Sequence, residues 1–373
     1  MNDLNKDAQK ILSHAGITVN GTKPYDIQVH NPDFFARAIR EGSLGLGESY
    51  MDGWWDVKEL DQFFDKVISA NLDTKVPKTE FLKLAVKMVL FNRQTKSKSK
   101  QVAEQHYDLG NELYTRMLDK NMQYTCGYWK NAKTLDQAQV DKLKLICEKL
   151  QLKKGMKVLE LGSGFGGLAR FMAKEYGCEV VSYNISKEQI AYAREWCKGL
   201  KVTFVEADYR EAKGTYDRVV SIGLCEHVGY KNYRTFMELA HRCLKDDGLF
   251  LLHTIAGNTS VFSTNAWIDK YIFPGGMLPS AKQLSTASEG LFVLEDWHNF
   301  GADYDKTLMA WEQNFVKHWR ELKGTSKKYD DRFYRMWRYY LLSCAGSFRA
   351  RRIQLYQIVY SKKGVRGGYK SLR

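Results

Sequence analysis

Proline is scarce in this chain, with five among 373 residues. So little proline beside 44% hydrophobic residues points to a globular protein rather than a disordered one. Cysteine is sparse as well, scattered at positions 126, 147, 178, 197, 225, 243 and 344. The odd number and the lack of any C-x-x-C pair exclude a disulfide framework, so reduced thiols in a cytoplasmic protein are expected. No uncharged apolar run approaches the roughly 18 residues that a membrane span requires. The opening MNDLNKDAQKIL lacks the cationic-then-apolar pattern of a leader. There is no G-x-S-x-G elbow for a serine hydrolase, and the eight histidines show no metal-ligand spacing, so no metal is expected. Acidic residues are missing from one long stretch: residues 332–373 hold 11 Lys/Arg and no Asp or Glu.

What is present is positive charge. The formal net charge of +14 favours an anionic partner, whether nucleic acid, anionic lipid headgroups or an acidic solute. A second basic segment, 78–100, carries seven Lys/Arg against one acid, Glu80. Within it TEFLKLAVKMVLF (79–91) reads as a helix, apolar on most sides, with Lys83 and Lys87 on one face. That pattern fits a helix lying on an anionic membrane surface, and equally an ordinary core helix. The polar NRQTKSKSK follows as a connector. Before it, residues 1–75 read as helical, with turns expected at NGTKPYD and at EGSLGLGESYMDGWWD, where Gly42, Gly45, Gly47 and Gly53 would pack against indoles. The expected division is an N-terminal helical domain (1–91) that contacts lipid, a basic linker (92–101) and a catalytic domain (102–373).

From residue 135 the pattern changes. LDQAQVDKLKLICEKLQL is an amphipathic helix, and short apolar runs then alternate with helices: KVLELG, GLARFMAKEYG, EVVSYN, KEQIAYAREWCKGL, VTFVEAD, YDRVVSIG, NYRTFMELAHRCLK, GLFLLHTI. This alternation predicts an α/β fold with a doubly wound, Rossmann-like parallel sheet, its core running from about 135 to 260.

VLELGSGFGGLAR is strand, glycine loop and helix, and Gly162, Gly164 and Gly167 satisfy G-x-G-x-x-G. Three details favour S-adenosylmethionine (SAM) over a dinucleotide. Glu160 precedes the loop where it would repel a pyrophosphate. The second strand ends in SYNIS, with Asn184 and then Gln189 but no ribose-binding acid. EADYR follows the third strand and puts Asp208 and Tyr209 where an adenine would lie, although Asp208 could simply cap a turn. Further along, Glu226 in LCEHVG ends the fourth strand and His253 ends the fifth. A carboxylate and an imidazole on the rim of a methyl-donor site form a plausible proton-handling pair.

Long blocks carry a more specific signal: EQHYDLGNELY, MQYTCGYWK, LELGSGFGG, CEHVG, LLHTI, WIDKYIFPGG, EDWHNFGADYDKTLMAW and AGSFRARRIQLYQIV. Over nearly its full length the chain resembles the cyclopropane-fatty-acyl-phospholipid synthases, relatives of the mycolic acid cyclopropane synthases. The resemblance implies a class I SAM-dependent methyltransferase fold with a small helical N-terminal domain. It also implies attack of a cis alkene on the sulfonium methyl, and deprotonation of the resulting carbocation by bound bicarbonate. Carried over by motif, the bicarbonate pocket would be Cys126, Glu226, His253, Ile255 and Tyr304. The SAM site would include Tyr124, Thr125, Gly162, Gly164, Gln189 and Tyr209, with His106 near a lid. The implied partners are unsaturated phospholipids of an anionic membrane surface, met peripherally on the inner face of the membrane by a homodimer. No nucleic-acid reader motif is present, so no nucleic acid is expected. A nucleophilic Cys126 would compete with the alkene for the methyl group, so it is expected as a neutral wall of the anion pocket.

Overall fold

The computed structural model describes residues 3–72 and 110–373. The expected membrane helix with Lys83 and Lys87, the linker at 92–101 and His106 lie outside the described residues. Packing divides the chain into two units.

The first strand of the larger unit, β1 (Lys157–Leu161), follows the helix α1 (Leu135–Lys149) and leads through the glycine loop into α2 (Gly167–Tyr176). Then come β2 (Glu179–Asn184), α3 (Lys187–Trp196), β3 (Val202–Glu206), β4 (Tyr216–Ile222), α4 (Tyr233–Cys243) and β5 (Leu244–Gly257). Two later strands, β6 (Val293–Asn299) and β7 (Ile353–Ser361), complete one seven-stranded sheet in the order β3-β2-β1-β4-β5-β7-β6. The first five strands are parallel, and β7 runs antiparallel between β5 and β6. Both faces of the sheet are covered. Leu159, Leu161, Phe250 and Leu252 pack on one side, and Val158, Leu249 and Leu251 on the other, which is why these strands read as continuous apolar runs. The strand order reverses between β1 and β4. The crevice beyond their carboxyl ends is therefore where such a sheet binds ligands.

The smaller unit combines the described residues up to Met117 with 265–274 and 308–352. The sequence reading drew a single boundary, whereas here the chain returns twice to pack with its N-terminal part. Aromatic burial accounts for the return: Trp55 is fully buried against Phe34, Tyr50 and Phe63, and Tyr339 meets Trp267 at 4.5 Å between ring centroids. The glycine-rich stretch expected as a turn is instead mostly helix, Phe34–Met51, broken at Gly42 (φ 59°). Within that helix position 47 calls for glycine, because a Cβ there would stand 2.3 Å from Trp267 Cδ1.

The basic run 332–373 is largely occupied internally. Its residues Ile353–Ser361 are the buried β7. Arg332, Arg335, Arg338 and Arg349 pair with Asp52, Asp56, Glu312 and Asp61, and Lys363 and Arg373 pair with Asp246 and Asp296. Among the described residues no helix is long and apolar enough to cross a membrane.

Candidate active site

The glycine loop turns through left-handed backbone at Gly162 (φ 90°), Gly164 (φ 49°) and Gly166 (φ 84°), conformations that an L side chain resists. The N–H groups of Gly162 and Ser163 both donate to the Tyr183 carbonyl, at 3.0 and 3.1 Å, and so tie the loop to β2. A Cβ on Gly164 would meet nothing within 4 Å, leaving that side open to a ligand. The Asn184 amide donates to the Gly164 carbonyl at 3.2 Å and to Gln189 Oε1 at 3.0 Å. Gln189 is thus joined to the loop through Asn184.

Two expected cofactor residues are engaged elsewhere. Glu160 is buried and accepts a 2.5 Å hydrogen bond from Ser182 on β2. Burial pushes its carboxyl up to about 8, and the Ser182 hydrogen bond and then Lys142 pull it only part of the way back. Asp208 caps the single turn Tyr209–Glu211 and receives Arg210 through both oxygens, at 2.8 Å each. The Arg210 guanidinium holds that carboxyl below its ordinary value. Its geometry displays the capping role. Tyr209 lies half-buried, edge-on to Phe236 at 5.7 Å.

Glu226 lies in the short turn Cys225–His227 just after β4, and His253 lies on the neighbouring parallel strand β5. The pairing of Ile222 with His253 sets the end of β4 beside His253, and Glu226 Oε1 accepts the Ile255 N–H at 2.7 Å. Glu226 Oε2 is buried without a hydrogen-bond partner, and burial raises this carboxyl to about 7. His253 is fully buried, and its register partner on β7 is Gln357, whose amide nitrogen lies 3.2 Å from Nδ1. An amide N–H donates, so Nδ1 accepts and the ring proton sits on Nε2. That Nε2 is likewise buried without a partner. Burial drives the imidazole well below its ordinary pKa, with Lys142 adding to the effect, so the ring is neutral.

Residues 122–129 form an irregular strap. Cys126 is fully buried, its thiol facing the Gly127 carbonyl at 3.2 Å and Thr307 Oγ1 at 3.9 Å. Burial raises it far above the ordinary thiol value, with Asp303 adding to the shift, so it is protonated. The helix turn that carries Tyr304 is tied to the same strap. Thr307 Oγ1 accepts from the Gly127 N–H (3.0 Å) and the Trp129 indole (2.9 Å), and Asp303 accepts the Trp129 N–H at 2.7 Å. Tyr304 itself is buried. Thr125 is held from α1, where Gln139 donates to its carbonyl at 2.8 Å and Lys142 to its hydroxyl at 3.0 Å. Tyr124 precedes it, half-buried. Lys142, Gln357 and Thr307 were missed in the sequence. An amphipathic helix hides one buried lysine among exposed ones, and Gln357 is revealed only by strand register.

A seven-stranded sheet with a glycine loop at its switch point defines a class I SAM-dependent methyltransferase, and the chain is an enzyme of that class. The profile of the mycolic acid cyclopropane synthetase family matches residues 93–358. Over 368 residues the chain is 53% identical to the cyclopropane-fatty-acyl-phospholipid synthase of Escherichia coli (strain K12), covering 98% of this chain and 95% of that protein. It is similar in fold to the cyclopropane synthase MmaA2 from Mycobacterium tuberculosis (TM-score 0.64, 30% identity, 69% of this chain and 96% of that one). A mycolic acid cyclopropane synthase, CmaA1, solved with SAH and CTAB, gives a TM-score of 0.62 at 30% identity, over the same 69% and 96%. The chain belongs to this cyclopropane synthase family.

Proposed function

We propose that the chain transfers a methylene group from SAM across the cis double bond of unsaturated acyl chains in membrane phospholipids, closing a cyclopropane ring. One observation carries the reading: a carboxylate oxygen of Glu226 and a ring nitrogen of His253, both buried and without partners, at adjoining strand ends beside the donor loop. Buried polar atoms are rarely left unsatisfied, so this pair fits a small polar ligand that accepts from one and donates to the other.

Bicarbonate bound between Glu226, His253, Ile255, Cys126 and Tyr304 would supply a base and a negative charge opposite the carbocation. The ionised Glu226 accepts a proton-bearing oxygen through Oε2, while its Oε1 stays on the Ile255 N–H. His253 donates through Nε2 while remaining neutral, and so adds no positive charge beside a developing cation. The protonated Cys126 contributes a wall that does not compete for the methyl group. Dry surroundings matter because water would trap the carbocation as an alcohol. Tyr124, Thr125, Gly162, Gly164, Gln189 and Tyr209 are assigned to SAM, with Asn184 linking two of them.

The acting form in this reading is a homodimer, peripheral on the cytoplasmic face of an anionic membrane. The N-terminal part, with Lys83, Lys87, Arg93 and Lys96, contacts the headgroups, each well-placed cation contributing on the order of 1 kcal/mol. The internal pairing of the C-terminal cations leaves the 78–100 segment as the stronger candidate for that contact. Incubation with SAM, bicarbonate and unsaturated phospholipid vesicles, followed by acyl-chain mass analysis, tests the chemistry. A gain of CH2 with loss of the alkene is expected. A methyl branch or an added water instead would sink the ring-closing reading. Charge reversal at the four basic positions is expected to weaken salt-sensitive vesicle sedimentation.

A further inference from the structure

Lys142 is a lysine with no contact to solvent, fully buried on α1. Its ammonium donates to Gln123 Oε1 at 2.5 Å and to Thr125 Oγ1 at 3.0 Å. Both acceptors are neutral, and no acid among the described residues lies within ion-pairing distance of it. A buried ammonium without a contacting anion is costly, and a methionine would fill the same space at less expense in stability. A charge kept under those conditions marks a position where local stability has given way to another requirement.

The two bonds lead to two different elements, the helix after the glycine loop and the end of β4. On one side the Gln123 amide donates to the Asn121 carbonyl at 3.0 Å. That carbonyl rests on Gly167, the first residue of α2 after the glycine loop, so closely that a Cβ there would stand 1.9 Å from it. On the other side Thr125 Cγ2 lies 2.9 Å from where a Cβ on Gly223 would be, directly beyond β4. Gln139, three residues before Lys142 on the same helix, holds the Thr125 carbonyl. One buried amine therefore joins the strap carrying Tyr124 and Thr125 to the donor-loop helix and to the strand that leads to Glu226.

We propose that Lys142 is a positioning residue that fastens the 121–125 strap over the donor loop and thereby sets the affinity for SAM and its demethylated product. The proposal rests on the SAM site and is independent of ring closure, because product binding is measured without lipid. The charged and titratable groups facing Lys142 are Asp119 and Cys126 on the strap side, Glu160 on β1 and His253 on β5. Burial brings the ammonium down to about 8, opposed chiefly by Asp119. The charge is therefore lost as pH rises through that value; the neutral amine keeps two N–H donors, but its bonds to Gln123 and Thr125 lose their charge assistance, and affinity falls on the alkaline side.

The test is calorimetric titration of the full chain with S-adenosylhomocysteine, at pH about 7 and about 9.5, for wild type, Lys142→Met and Lys142→Gln. Wild type is expected to bind more weakly at the higher pH. Lys142→Met is expected to weaken binding about tenfold or more at neutral pH, to lose the alkaline decline, and to raise the KM for SAM more than it lowers kcat. Lys142→Gln, which keeps a donor without the charge, is expected to fall between the two. Neutral-pH affinity of Lys142→Met within about twofold of wild type overturns the proposal. If neither variant folds, the wild-type titration decides alone, and equal affinity at the two pH values overturns it.

Discussion

Glu226 Oε1 accepts the backbone N–H of Ile255 at 2.7 Å, which locks the carboxylate at the end of β4 to the end of β5 and leaves Oε2 buried and open. Burial withholds this carboxyl from water and destabilises its ionised form, and the Ile255 N–H offsets only part of that cost. That is the physical source of its rise to about 7.

Activity and stability should therefore diverge at this position. Glu226→Gln keeps the shape and removes the charge, and turnover is expected to fall at least about 100-fold with SAM binding retained. The folded-state value lies above that of the unfolded chain, so the neutral carboxyl favours the fold, and this stability is lost as pH rises toward and through about 7. Glu226→Gln should consequently melt a few degrees higher than wild type at pH about 8, with the difference vanishing near pH about 4. A lower melting temperature at pH about 8 would contradict the assignment. Because the ionised form is the acceptor, wild-type turnover should decline as pH falls below about 7.

His253 depends on Gln357 for its tautomer. Gln357→Leu lets the ring proton move to Nδ1, so that Nε2 no longer donates. Turnover is expected to drop about 10- to 100-fold, with the KM for SAM little changed. Unaltered turnover in a folded Gln357→Leu protein would show that ring orientation is set elsewhere.

Cys126 is protonated and buried. Cys126→Ser is expected to reduce activity less than about tenfold, and iodoacetamide at neutral pH should not inactivate the enzyme through this residue. Complete loss of activity with the fold intact would restore a nucleophilic role.

In the smaller unit, Gly47 has no room for a methyl group beside the Trp267 indole. Gly47→Ala is expected to destabilise by about 1–3 kcal/mol, read as a lower denaturation midpoint. A neutral result would mean that the indole can shift without penalty.

Much of this architecture was legible in the chain. The alternation from residue 135 announced the parallel strands because a sheet covered on both faces needs apolar side chains on both. The glycine loop was legible because left-handed backbone at Gly162 and Gly164 leaves few alternatives to glycine. Glu226 was read just beyond the fourth strand and lies there, in the turn after β4, whereas His253, read at the end of the fifth strand, lies inside β5, which runs on to Gly257. Asp208 reads two ways in the sequence because an acid after a strand looks the same whether it faces a nucleotide or caps its own turn, and the structure displays the cap. The turn expected at Gly42–Gly53 failed for a related reason: helix interiors accept glycine when a distant side chain, here Trp267, occupies the Cβ position.

The sequence by itself determined the class of sheet, the donor loop and the family, because periodicity, backbone permissiveness and long motif blocks are local properties. Only the tertiary structure decided which polar groups are left unsatisfied and which cations are already neutralised. It alone assigns Gln357 to His253 through β-strand register, and Lys142 to Thr125 through the packing of α1. It also turns most of the C-terminal arginines toward carboxylates far away in the chain. Burial and hydrogen-bond partnership are relations between distant residues, and they set the pKa of Glu226 and the proton position on His253 as no adjacent residue could.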